Sequence, residues 1–225
     1  MRIDDVTVVA ATWLEARAVR AAIPEARLVV AGPGLSRLRE PLAGAVVTCG
    51  VAGGLRPGLA TGSVVVPAAV RRPDGGTLTC DPPLAAALAA AARALGLPVE
   101  TGALVTSREL VTGGARRRWC DAGCVAADME TGLVLADRVA TVRVVLDTPD
   151  RELAAAWTRP GRALRSPAAW RELPWLAREG PRCARLAAAV LAAALRGLDP
   201  HPNPPLREQK GRADAGRRNG LCPSE

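Results

Sequence analysis

Val6-Thr7-Val8-Val9-Ala10-Ala11 opens the chain with a β-branched, almost wholly apolar run, and Trp13 to Ala22 follows it in helical composition. Branched side chains favour the pleated backbone, and a run that is apolar on both faces fits a strand covered from both sides. The same unit recurs downstream. Residues 27–31 read as a second strand, ended by Gly32-Pro33-Gly34 and a short helix near Leu35 to Glu40. Ala45 to Thr48 reads as a third strand, running into the loop Cys49-Gly50-Val51-Ala52-Gly53-Gly54-Leu55, and Gly62 to Pro67 as a fourth. Asp81-Pro82-Pro83 opens a helix with Asp81 as N-cap and Pro82 in the first turn; Leu84, Leu88 and Leu95 keep helical spacing until Gly96 and Pro98 end it. Further strands are expected at about Thr101–Thr106, Cys124–Asp128 and Val139–Leu146, with a short helix over Thr131–Arg138. After Pro149 the chain turns helical and Trp-containing, and its last good helix is expected over Arg182–Arg196. Alternating strands and helices imply an α/β layered domain. It occupies residues 1–199, with 151–199 as its helical C-terminal part. Residues 200–225, rich in Pro, Arg, Asn and Gly without periodicity, are expected to be a disordered tail.

Composition narrows the chemistry. The 225 residues are 49% hydrophobic, enough for one domain with a sizeable core. No apolar run reaches the ~18–20 residues that cross a bilayer, and Asp4 and Asp5 stand where a signal peptide would be basic, so a cytoplasmic address is expected. The six cysteines form no CxxC pair; reduced structural thiols and no metal site are expected. The one histidine, His201, and the one lysine, Lys210, both fall in the tail. That argues against Ser-His-Asp or Cys-His triads, a P-loop lysine and Schiff-base chemistry in the folded part. Acid–base work falls to carboxylates. The net charge of +8 is spread along the chain, with one cluster at Arg116-Arg117-Arg118, which reads as solvated basic surface rather than a nucleic-acid site.

Three acids stand at or just past apolar strand ends: Glu15, Glu130 and Asp147. The carboxyl ends of strands frame the ligand crevice in open α/β sheets, and a buried carboxylate needs a partner or a task. Gly50-Val51-Ala52-Gly53-Gly54 adds a loop whose backbone a sugar or anion could approach closely.

Four segments carry a resemblance. Gly50-Val51-Ala52-Gly53-Gly54-Leu55 with Thr61-Gly62-Ser63-Val64-Val65-Val66-Pro67, then Asp128-Met129-Glu130, then Val142 to Asp150, and Ala10-Ala11-Thr12-Trp13-Leu14-Glu15 resemble motifs of the purine nucleoside phosphorylase and methylthioadenosine nucleosidase superfamily, in that family's order. The resemblance implies a three-layer fold with a central mixed β-sheet flanked by helices, and cleavage of the N-glycosidic bond of an adenosine-type purine nucleoside. Hydrolysis and phosphorolysis both remain open, with inorganic phosphate as co-substrate in the second case and no other cofactor. Asp128 to Gly132, Arg143 to Pro149 and the stretch Arg159 to Leu164 look most like the hopanoid-associated phosphorylases. That likeness implies adenine removal from a lipid-linked nucleoside, with transient membrane-surface contact by residues 157–182. A homo-oligomer is implied as well.

By that resemblance Asp147 would protonate the departing base and Glu15 would activate water. Glu130 would hold the ribose hydroxyls, and Met129 would pack under the sugar. Val51, Ala52, Gly53, Leu110 and Val111 would line the substrate, and Gly34, Ser36 and Arg37 would meet phosphate. The chain also departs from the pattern. Leu146 stands where the family has Ser, Leu110 stands where a base-stacking aromatic is expected, and the segments 35–48 and 131–146 look trimmed. A catalytically inactive nucleoside-binding protein is the alternative those departures motivate.

Overall fold

The computed structural model describes residues 3–158, 161 and 166–198. Its centre is a ten-stranded mixed sheet flanked by helices, the fold class the sequence implies. Strand β1 (Val6–Ala10), buried at every position, leads into helix α1 (Trp13–Ala22) and returns through β2 (Arg27–Val30). Strand β3 (Leu42–Gly54) is the longest and organises the rest. Beyond it lie β4 (Val64–Val65), β5 (Ala69–Arg71), β6 (Thr77–Thr79), helix α2 (Pro82–Ala94), β7 (Val99–Glu100), β8 (Ala103–Thr106), helix α3 (Gly114–Asp121), β9 (Cys124–Asp128), β10 (Ala136–Asp147) and helix α4 (Pro167–Leu198).

Three sequence expectations are corrected here. The Gly-rich stretch is not a loop, because β3 continues through Gly54 by pairing in parallel with β10 from Leu42 to Gly53. The expected helix over Thr131–Arg138 shrinks to a single turn, Thr131–Leu133, and Ala136 already belongs to β10. The Leu and Ala of this segment favour helix on their own, but pairing of Ala136 with Leu42 overrides that preference. The helix expected near Leu35 to Glu40 is only the turn Pro33–Leu35. The last helix, by contrast, starts fifteen residues earlier than Arg182 and carries Pro174 and Pro181 within it. The expected tail at 200–225, and most of Arg159 to Leu164, lie outside the described residues. No helix among the described residues is long and apolar enough to cross a membrane.

The long strand changes partners along one edge. From Ala45 to Thr48 its neighbour on that side is β1, in parallel; at Gly53 and Gly54 it is β9, antiparallel. Between the two, that edge of β3 has no strand beside it among the described residues. The other edge is held by β10 throughout.

Alternation along β3 and β10 then separates two faces. Val47, Cys49, Val142 and Val144 pack with α1, α2 and α4 in the main apolar core. Thr48, Gly50, Thr141 and Arg143 point to the opposite face, where Thr48 donates to Thr141 Oγ1 at 2.7 Å. A charged residue in mid-strand is thereby placed on the side where the edge of β3 lies open.

Candidate active site

Glu15 is placed by the start of α1. Thr12 caps the helix and Glu15 is its third residue, so the two form a capping box: Glu15 N–H donates to Thr12 Oγ1 at 3.3 Å, and Thr12 N–H and hydroxyl donate to Glu15 Oε2 at 2.8 and 2.9 Å. The second carboxylate oxygen reaches across to β3 and accepts the Val51 N–H at 2.9 Å. That N–H lies where β1 has left the strand and β9 has not yet joined it. A backbone donor that would otherwise be orphaned fixes the carboxylate, and Glu15 is only 3% exposed.

Glu130 follows β9 and is 7% exposed. Its Oε1 accepts the Gly34 N–H at 3.1 Å, and its Oε2 lies 3.4 Å from Arg143 Nη2. Arg143 is the hub of this end of the site. Its Nη2 meets Asp128 Oδ2 at 2.7 Å and Thr131 Oγ1 at 3.1 Å. Asp128 is fixed in turn by the Thr106 hydroxyl at 2.6 Å and the Thr131 N–H at 3.1 Å. Arg143 is 1% exposed, and its buried charge is met by the buried carboxylates of Asp128 and Glu130. The balance at Glu130 is incomplete. Its carboxyl is pushed up to about 7: burial raises it most, Arg143 pulls it down, and Asp128 and Glu15 push it up again.

Gly50 makes the approach of these groups possible. A Cβ there would run into Glu15 Oε1 and stand 2.7 Å from Arg143 Nη1. Gly50→Ala is therefore expected to displace the Glu15 carboxylate and cost about 2 kcal/mol, a Tm fall of about 4–8 °C. Thermal denaturation of the purified variant checks this; an unchanged Tm would show that Glu15 has room to move.

Asp147 ends β10, opposite Gly53 in the register and 2% exposed. Its Oδ2 is ion-paired to Arg116 Nη2 and lies 3.4 Å from the Leu153 N–H. Arg116 comes from α3, is itself 2% exposed, and donates from Nη1 to the Gly54 carbonyl. The Arg116–Arg118 cluster is thus not wholly solvated surface: its first member is buried in the site because α3 packs beside β9 and turns that side chain inward toward the C-terminal end of β3. Burial raises the Asp147 carboxyl above the ordinary aspartate value, against the lowering pull of Arg116 and the backbone donors.

The structure thus gathers Glu15 and Glu130 around Arg143 and sets Asp147 three β3 residues further on, about 10 Å away along the strand. Met129 is half-buried beside Glu130, its N–H 3.4 Å from Glu130 Oε2. Of the substrate-lining candidates, Val51 has its N–H committed to Glu15, Ala52 is buried, and Gly53 lies against Asp147 and Arg116. Leu110 is half-buried, whereas Val111 packs with Leu55, Val105, Cys124 and Ala127 in a small apolar cluster. Of the phosphate candidates, Gly34 is at the site with its N–H directed to a carboxylate, while Ser36 and Arg37 are exposed. Cys49 faces the helical core, and burial pushes its thiol up to about 12. Among the described residues no group of three or more His, Cys, Asp or Glu side chains is placed to hold a metal ion.

Sequence reasoning assigned no role to Arg143 or Arg116. Arg143 had a signal, a lone charge inside an apolar strand, which must be buried and paired. Arg116 had none, since its helix reads as polar surface.

The same arrangement of strands recurs in solved structures. A 5′-methylthioadenosine/S-adenosylhomocysteine nucleosidase from Neisseria meningitidis, in complex with methylthio-immucillin-A, aligns over 85% of this chain and 98% of its own at TM-score 0.62 and 18% identity. An S-adenosylhomocysteine nucleosidase from Streptococcus pyogenes, in complex with 5-methylthiotubericidin, aligns over 88% and 99% at TM-score 0.65 and 16% identity. Futalosine hydrolase of Helicobacter pylori strain 26695 aligns over 87% and 98% at TM-score 0.61 and 12% identity. At such identities the likeness is one of fold. No curated protein matches the sequence. The model of the phosphorylase superfamily matches residues 19–154, which include β3, the Asp128–Glu130 turn and β10 with Asp147. Spanning more than half of the sequence and every element of the site except Thr12 and Glu15, that match makes the chain a member of the phosphorylase superfamily.

Proposed function

We propose that this protein hydrolyses the N-glycosidic bond of an adenosine-type purine nucleoside. The observation that carries the reading is the division of three buried acids along one strand pair: two beside a shared guanidinium, and a third, with its proton affinity raised by burial, about a nucleoside's length further on. Such a bond breaks toward a ribosyl cation, with negative charge building on the base. Asp147 gives a proton to the base as the C1′–N9 bond breaks and its electron pair moves into the purine. Glu130 accepts the ribose hydroxyls and faces the cationic sugar with negative charge. Glu15 takes a proton from the water whose oxygen bonds to C1′. The atoms balance as free base plus ribose.

Water rather than phosphate is favoured by charge. Glu15, Asp128 and Glu130 surround a single guanidinium, Arg143, so a phosphate dianion would enter a field already negative. Gly34 directs its N–H to Glu130, and Ser36 and Arg37 face solvent. The nucleosidases of Neisseria and Streptococcus, with their bound nucleoside analogues, support adenosine-type substrates.

The test is release of free base from adenosine, 5′-methylthioadenosine and adenosines of graded 5′ hydrophobicity, each with and without phosphate. Release independent of phosphate is expected. A requirement for phosphate would convert the reading to phosphorolysis, and binding without release from any substrate would leave a nucleoside-binding protein. Preference for the most apolar 5′ group, with sedimentation on anionic liposomes, would support the lipid-linked substrate that the hopanoid-type resemblance suggests.

A further inference from the structure

Asp147 is covered on one oxygen by a buried cation. Oδ2 is paired with Arg116 and approached by the Leu153 N–H at 3.4 Å. Oδ1 and Arg116 Nη2 lie 3.0 and 3.4 Å from where a Cβ on Gly53 would stand. With both side chains 3% exposed, Asp147 Oδ2 is not open to a base nitrogen while Arg116 keeps its place.

Arg116 has a second acceptor at hand. Glu152 Oε1 lies 3.2 Å from its Nε, yet Nε is buried without a hydrogen-bond partner, because the two are near but out of line. Glu152 is 31% exposed and accepts the Gly113 N–H, at the start of α3, on both oxygens at 2.9 and 3.0 Å. Its segment is anchored to α4: Glu172 accepts the Trp157 indole N–H at 2.7 Å and the Ala154 N–H at 3.1 Å, and Arg151 lies 4.5 Å above the Trp175 ring. A small rotation of the guanidinium toward Glu152 satisfies Nε and frees Oδ2 of Asp147.

We propose that Arg116 is a positioning residue: it caps Asp147 and hands over to Glu152 when a base enters, so that Asp147 is uncovered only against its substrate. This rests on Asp147 being the group that protonates the base. The cap also times the proton. While paired, Arg116 opposes protonation of Asp147; once it turns to Glu152, burial is opposed only by the backbone donors and the carboxyl takes up a proton more readily. Among the described residues, the charged groups around Asp147 are Arg116 from α3 and, behind it, Glu152. Strand β3 brings only Gly53 and Gly54, and Cys183 of α4 is directed to the Val145 carbonyl.

Arg116→Met, Arg116→Lys and Glu152→Gln test the proposal through the pH dependence of kcat/KM and through KM. For Arg116→Met the alkaline limb is expected to rise by about one pH unit or more, and KM to fall about tenfold. Arg116→Lys is expected to bring both back toward the parent. Glu152→Gln, which weakens the receiving group, is expected to act in the opposite sense, with KM raised several-fold. A limb and KM unchanged in Arg116→Met, or a loss of kcat alone, would overturn the cap. Should that variant fail to fold, Glu152→Gln decides, since parental behaviour in it is equally fatal. Should no nucleoside be cleaved, the proposed function fails, but NMR titration of the Asp147 carboxyl carbon still reads the cap. Its midpoint must rise in Arg116→Met, and a static midpoint rejects the proposal.

Discussion

Replacement of Asp147 by Asn is expected to slow base release by about 10²–10⁴-fold, while nucleoside affinity stays within a few-fold of the parent. The two side chains have nearly the same shape, and the amide oxygen can still accept from Arg116, so Gly53 and the end of β10 keep their places. What is lost is the transferable proton. The amide can donate a hydrogen bond to the base, which preserves binding, but it cannot surrender the proton as the glycosidic bond breaks. The loss therefore falls on kcat. Single-turnover base release with calorimetric binding on the same variant measures the split. A rate within about tenfold of the parent would remove Asp147 from the chemistry and leave the base to depart by another route.

Glu130→Gln is expected to lower kcat/KM by about 10²–10³-fold and, at neutral pH and above, to raise Tm by several degrees. The two effects have one origin. Burial holds the Glu130 carboxyl at about 7 in the folded protein, against an ordinary value of 4.5 in the unfolded chain. Between those values the folded state binds a proton that the unfolded state does not, so stability is fully present below about pH 4.5 and declines as pH rises toward 7. Above that, the protein carries a buried charge only partly met by Arg143. Glutamine removes the charge and keeps an acceptor for the Gly34 N–H. Arg143 retains Asp128 at 2.7 Å, so it is not stranded. The charge being removed is also the one that the proposed mechanism sets against the ribosyl cation. Parental kcat/KM should accordingly rise with pH through about 7 as this carboxyl ionises. Melting curves at pH 5 and pH 8 test the stability part; equal Tm differences at both would mean the carboxyl titrates in its ordinary range.

Much of this was legible before any coordinates. β1 announces itself by branched residues, and α2 by its Asp81 cap and Leu84–Leu88 spacing. Glu15, Glu130 and Asp147 stand out because acids at the ends of apolar strands need an explanation. The failures share a cause. Whether Gly50 to Gly54 bends or extends, and whether Leu133 to Arg138 coils or pairs, depends on whether a partner strand is alongside, and β3 and β10 are each other's partner across some ninety residues of sequence. The buried Arg116 shows the same limit from the side of charge. Three consecutive arginines look alike in a string, and only the packing of α3 against β9 separates the one that turns inward.

The exchange of neighbours along β3 has a mechanical consequence. Both working ends of the site are hung from a single extended segment, at Gly50 and Gly53, whose pitch is that of pleated backbone and does not stretch. On the proposed mechanism, the separation between sugar chemistry and base chemistry is thus a built-in ruler, about 10 Å long. Insertions in the connecting stretches before α3 or after Asp147 could reshape what is admitted at either end without changing that measure. One residue added between Gly50 and Gly53 would put every later side chain on the wrong side of the sheet.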